Sequence, residues 1–104
     1  MQAIDDPDVG VRRVAAELLG AMDAPEATGA LIRGVRDDDP EVRATALRSL
    51  ARAEAFSASD VIPERLEDPV PEVRLAALDA LATLRADRSR ARGLLAIAED
   101  ALRH

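Results

Sequence analysis

The sequence predicts an all-α chain built as a solenoid, a stack of helical hairpins in about three copies of a 31-residue repeat. First, the dipeptide Val-Arg recurs at Val11-Arg12, Val42-Arg43 and Val73-Arg74, with the same interval both times. Second, the same register aligns Asp6, Asp37 and Asp68 upstream, and Ala15, Ala46, Ala77 and Leu19, Leu50, Leu81 downstream. Self-similarity at a fixed period of this size is the mark of a repeat architecture. Third, the apolar residues are almost wholly Ala, Leu, Val and Ile, with Phe56 the sole aromatic. That composition suits closely packed helices better than sheets.

Residues 1–104 read as one domain, in units of approximately 1–22, 23–53, 54–84 and 85–104. The first and last are incomplete. Ile4, Val35, Leu66 and Ile97 carry the period through the chain, and Ile4 falls where a first helix closes. Most of that helix is missing, so Val11, Val14, Leu18 and Met22 are expected to form an exposed apolar strip. More of a longer solenoid, or another chain packed end to end, would complete the unit.

In the second unit, Pro25 to Arg36 holds Ala27, Ala30, Leu31 and Val35 on one helical face. Asp37-Asp38-Asp39-Pro40 then ends one helix and starts another. Asp39 can cap free amides, Pro40 suits the first helical position, and Glu41 lies at the positive end of the dipole. From Pro40 to Arg52 the stripe Val42, Thr45, Ala46, Ser49, Leu50, Ala53 recurs at three and four. The third unit repeats the plan after Asp68-Pro69-Val70-Pro71-Glu72, with Val73, Ala76, Ala77, Ala80, Leu81 and Leu84 facing inward. Pro63 interrupts its first helix, which must begin late, capped by Ser59 or Asp60, or bend. Ser89 to Arg103 places Ala91, Leu94, Leu95, Ala98, Ala101 and Leu102 on one face, as the opening helix of a fourth unit.

An Asp-Pro turn, then Val-Arg, then Ala-x-x-x-Leu resembles HEAT repeats, specifically the short type named after phycobilisome lyases, over residues 4 to about 102. The resemblance implies a right-handed α-solenoid, an α-α superhelix of the ARM/HEAT-like kind, whose second helices line a concave surface that binds proteins. It also implies a ladder between units: Arg12 toward Asp37 or Asp38, Arg43 toward Asp68, Arg74 toward Glu99 or Asp100. A bilin (phycobiliprotein) lyase, or a chaperone subunit of one, is the alternative that the subtype suggests.

Twenty carboxylates face fourteen arginines and no lysine, for a net charge of −6, which opposes binding to nucleic acid. A base-excising repair enzyme on such a scaffold would also need aromatic residues to stack an exposed base. No cysteine is present, which removes disulfides and thiolate metal sites and fits a cytoplasmic location. No stretch has the length and apolarity of a membrane span, and the first residues do not read as a signal peptide. No phosphate loop, nucleophile-base set or carboxylate pair can be assembled, so neither catalysis nor a cofactor is expected. His104 is the single imidazole, and as base or metal ligand it would demand an ordered chain end. Asp37-Asp38-Asp39 could hold a hard cation, but the related turns lack the extra carboxylates and a capped turn accounts for it.

A partner protein is therefore expected, on the side of each second helix opposite its buried stripe. Turning each helix by about 100° per residue puts Arg13, Glu17 and Gly20 there, then Ala44, Arg48 and Ala51, then Leu75, Asp79 and Ala82. Glu17, Arg48 and Asp79 form a row of alternating sign. Gly20, Ala51 and Ala82 form a lane of small residues that would let a partner's backbone approach.

Overall fold

Carboxylates and prolines set where the helices begin. In the computed structural model, which describes residues 2–22, 24–58 and 60–103 and all their side chains but those of Phe56 and Ala91, the α-helices are α1 (Val9–Leu19), α2 (Pro25–Val35), α3 (Pro40–Arg52) and α4 (Pro71–Arg103). Asp8 caps α1 by accepting from the amides of Gly10 and Val11, and Asp39 caps α3 by accepting from Val42. Prolines stand at the first helical position of α2, α3 and α4.

The end of α3 is equally specific. Glu54 adopts a left-handed φ of 54°, so the Ala55 amide reaches Leu50 O and the Glu54 amide reaches Ala51 O. These two bonds make the Schellman closure that glycine usually serves.

Every described helix packs on the next in an α-solenoid with no strand among the described residues. α2 and α3 form a hairpin, while α3 lies between α1 and α4. Leu31, Val35, Val42, Leu47, Leu50, Ile62 and Val73 are fully buried along this stack. Leu47 was not on the expected stripe. A second helix inside a stack is covered by its hairpin partner and by both neighbouring units, so its buried arc is wider than one stripe.

Two expectations fail. The first helix of the third unit is absent: two 3-10 turns, Phe56–Ala58 and Pro63–Glu67, stand in its place. Pro63 leaves too few residues before Asp68 for an α-helix, and buried Ala55, Ala58 and Ile62 fill the slot instead. Of the two caps considered there, Asp60 sits in a turn, whereas Ser59 lies outside the described residues, as does His104.

Nor does a fourth hairpin open at Ser89, since α4 runs 33 residues without a break. Ala86-Asp87-Arg88-Ser89 contains no Gly or Pro, unlike the Asp-Pro turns elsewhere, and strong helix formers flank it. The helix spans about 50 Å at 1.5 Å per residue, most of the 58 Å long axis of the molecule. Its last buried described residue is Leu84; Leu94, Leu95, Ile97 and Leu102 beyond are all exposed. No described helix is long and apolar enough to cross a membrane.

Candidate interaction surface and the arginine ladder

Asp37 and Asp68 each fold back on their own loop, accepting from the amides of Asp39 and Val70 at 2.9 Å. Asp6 does the same with the Asp8 amide at 2.8 Å. This turn aims each carboxylate at the preceding unit. Arg12 donates from Nε to Asp37 Oδ2 at 2.9 Å and from Nη2 to Oδ1 at 3.3 Å. Arg43 makes the same fork on Asp68 at 2.9 and 3.0 Å.

In both arginines Nη1 turns back to the unit's own loop: Arg12 to the carbonyls of Asp6 and Pro7, Arg43 to those of Asp37 and Asp38. Asp38 therefore contributes a carbonyl, not a carboxylate, to the ladder. Arg74 keeps the loop bond, to Asp68 O at 2.7 Å. It does not reach Glu99 or Asp100, because α4 carries both far beyond the stack on its own straight axis. Among the described residues Arg74 meets no carboxylate.

The central rung is the most enclosed, with the Asp68 side chain fully buried and that of Arg43 nearly so. Burial disfavours the Asp68 carboxylate, but donation from Arg43 and from the Val70 amide, with the charges of Arg43 and Arg65, outweighs it and holds the carboxyl below its ordinary value.

A second rung beside the first was not foreseen. Arg13 forks onto Asp39 at 3.2 Å and also reaches Glu41 at 3.3 Å. Donation from Arg13 lowers the Asp39 carboxyl against its desolvation, and the same bond raises the Arg13 guanidinium. The carboxylates of Asp37 and Asp39 are thus engaged in forks and amide caps. Among the described residues no cluster of His, Cys, Asp or Glu could hold a metal ion.

The nine residues expected on one open face divide into two sets. Positions 13, 44 and 75 turn toward the following unit: Arg13 pairs with the start of α3, Ala44 is buried, and Leu75 is exposed. Positions 20, 51 and 82 do likewise. Gly20 is buried where α1 meets α3, and a Cβ there would lie 2.6 Å from that of Ser49. Ser49 Oγ donates to Ala16 O, and Arg52 Nη2 donates to Glu17 O, each at 2.7 Å, which closes this contact. The small-residue lane is therefore helix packing at Gly20, half-buried at Ala51 and open at Ala82.

Of the nine, Glu17, Arg48 and Asp79 alone stand clear on all three second helices. Arg48 makes a long donation to Thr45 Oγ1, at 3.5 Å. The 31-residue spacing made the row legible; the wheel could not separate it from the flank facing the next unit, because both lie away from the stripe.

At the α1 end, Val11, Val14, Leu18 and Met22 are exposed, as their position beside Ile4 predicted. An apolar cleft of about 400 Å³ lies between Ile4, Leu18, Leu19, Met22 and Ala27. Outer-edge pairs, Arg33 with Asp5 and Arg36 with Glu64, link first-helix segments of adjacent units across 28 residues. They join the same two columns one period apart, 5 and 36 with 33 and 64, with the charges exchanged.

No curated protein matches the chain. A family model described as HEAT repeats matches residues 1–82 and again residues 39–103, in keeping with the stacked helices, capped Asp turns and Arg-Asp ladder, and the chain belongs to the HEAT-repeat family.

Proposed function

We propose that the chain is a non-catalytic, cytoplasmic protein-interaction module that binds its partner along the open side of the second helices. The observation that carries this reading is the row Glu17, Arg48, Asp79, exposed on successive units while the neighbouring Arg12, Arg13 and Arg43 are used up in structural forks. The forks hold the spacing of the row, so alternating charge is presented on a preorganised frame. The partner is a protein surface with complementary alternating charge; a net charge of −6 disfavours nucleic acid. We place the chain in the short, phycobilisome-lyase type of the family on its 31-residue period, and no feature of the geometry favours a bilin-lyase activity.

Arg48→Glu turns the row wholly negative. Used as bait beside the wild type, this variant should lose the captured partner while its thermal melt moves by less than about 0.5 kcal/mol equivalent. Arg33→Glu, on the outer edge, should keep the partner. Loss with Arg33→Glu and retention with Arg48→Glu would place binding on the other side of the stack.

A further inference from the structure

The two ends of this stack carry the two halves of a contact that the chain already makes twice. In α3 and α4 the positions facing the preceding unit are covered, and in α1 their register equivalents are bare: Leu18 is 61% exposed where Ser49 and Ala80 are 2% and 1%. Val14, likewise, is exposed where Thr45 and Ala76 are buried. At the opposite end the positions facing the following unit are bare in α4. Leu78 is 55% exposed where its equivalents Leu47 and Ala16 are both 0%.

The charges match as well as the apolar rows. Arg74 makes the loop bond that Arg12 and Arg43 make, yet the Nε and Nη2 edge they use for the next aspartate has no carboxylate among the described residues. Asp6 makes the amide turn that Asp37 and Asp68 make, and among the described residues no guanidinium reaches its carboxylate.

We propose that a second copy of this chain docks head to tail, its α1 face on the α4 face of the first, with Arg74 of one copy forking onto Asp6 of the next. Leu75 and Leu78 then meet Val11, Val14 and Leu18, over which an open apolar hollow of about 430 Å³ lies. The contact reproduces the α1–α3 and α3–α4 packing, so its geometry is one the sequence already supports. It is heterologous: every added copy leaves one free head and one free tail, and the mean mass climbs with concentration instead of stopping at a dimer. This surface is distinct from the Glu17–Arg48–Asp79 row, and the two readings stand or fall separately.

The test is sedimentation velocity on the wild type, Arg74→Glu and Asp6→Arg, from low-micromolar to near-millimolar concentration. Wild type should associate, and each variant alone should associate at least about tenfold more weakly, since like charges then meet at the rung. An equimolar mixture should regain the wild-type mass, because Glu at 74 faces Arg at 6 in one contact and the native pair forms in the other. Leu78→Glu changes an exposed side chain; added to the wild type it should cap growing stacks and lower the mean mass. The proposal is overturned by a wild type that stays monomeric throughout, by association indifferent to both charge reversals, or by a mixture no heavier than its components while Leu78→Glu caps nothing.

Discussion

Arg43→Ala should be the most damaging single change in the ladder. It removes four donations, two to Asp68 and one each to the carbonyls of Asp37 and Asp38. The Asp68 side chain is fully enclosed and would be left with the Val70 amide at 2.9 Å and one long contact from Arg65 at 3.4 Å. Stranding one member of a buried pair costs about 3 to 5 kcal/mol. The amide and Arg65 retain part of the compensation, so about 3 kcal/mol is expected. Arg12→Ala removes a rung whose partners are 19% and 11% exposed, where water can substitute, and should cost about 1 to 2 kcal/mol. With no Trp or Tyr for fluorescence, far-UV circular dichroism in urea is the assay. A slope near 1 to 1.5 kcal/mol per M turns the Arg43→Ala loss into a midpoint drop of about 2 to 3 M. The pH dependence supplies an internal check. Asp68 is held below the ordinary aspartate value of about 3.9, so its contribution is complete above that pH and is lost as pH falls through the lower folded value. In the variant the burial that opposes charge is no longer outweighed, the carboxyl rises, and the gap to wild type should narrow on acidification. A loss for Arg43→Ala no larger than for Arg12→Ala, or a gap constant with pH, would refute the buried-fork argument.

Gly20→Ala should destabilise by about 1 to 3 kcal/mol, because its Cβ would press on Ser49 and Arg52. Gly29→Ala, an exposed helical glycine with nothing within 4 Å of its Cβ, should stabilise by about 0.5 to 1 kcal/mol; thermal melts that move in the same direction would contradict the packing assigned to Gly20. Leu47→Ala should cost about 2.5 to 5 kcal/mol and Leu95→Ala under about 0.5, since the first is fully buried and the second exposed on the outer half of α4; comparable urea midpoints would show that outer half to be packed. Glu54→Gly should add about 0.5 to 1 kcal/mol by relieving the left-handed cap of α3, and a lower melting temperature would mean that the Glu54 side chain contributes to the closure.

Much of this fold was legible in the residues because a repeat states its own register. Asp39-Pro40 and the three-four spacing after it marked α3 to the residue, since capping and dipole effects are local and act through neighbours in sequence. The family resemblance that the Val-Arg columns carry implied the inter-unit rungs at Asp37 and Asp68. Sequence by itself therefore determined the all-helical class, the period and the apolar strip of α1. What it could not determine were features set by the number of neighbours a side chain has. A helical wheel distinguishes one buried stripe from its opposite, but an inner helix such as α3 is covered on three sides, so Leu47 is buried off its stripe and Ala44 against the wheel's assignment, while Gly20 at the end of α1 is buried by its contact with α3. Tertiary structure also decided the fate of the third unit, where short 3-10 turns fill a slot that asks only for apolar volume at Ala55, Ala58 and Ile62. It decided the length of α4 as well: periodicity reports which face of a helix is apolar, not whether the chain turns back, and with no Gly or Pro at residues 86–89 the hydrogen-bond ladder simply continues.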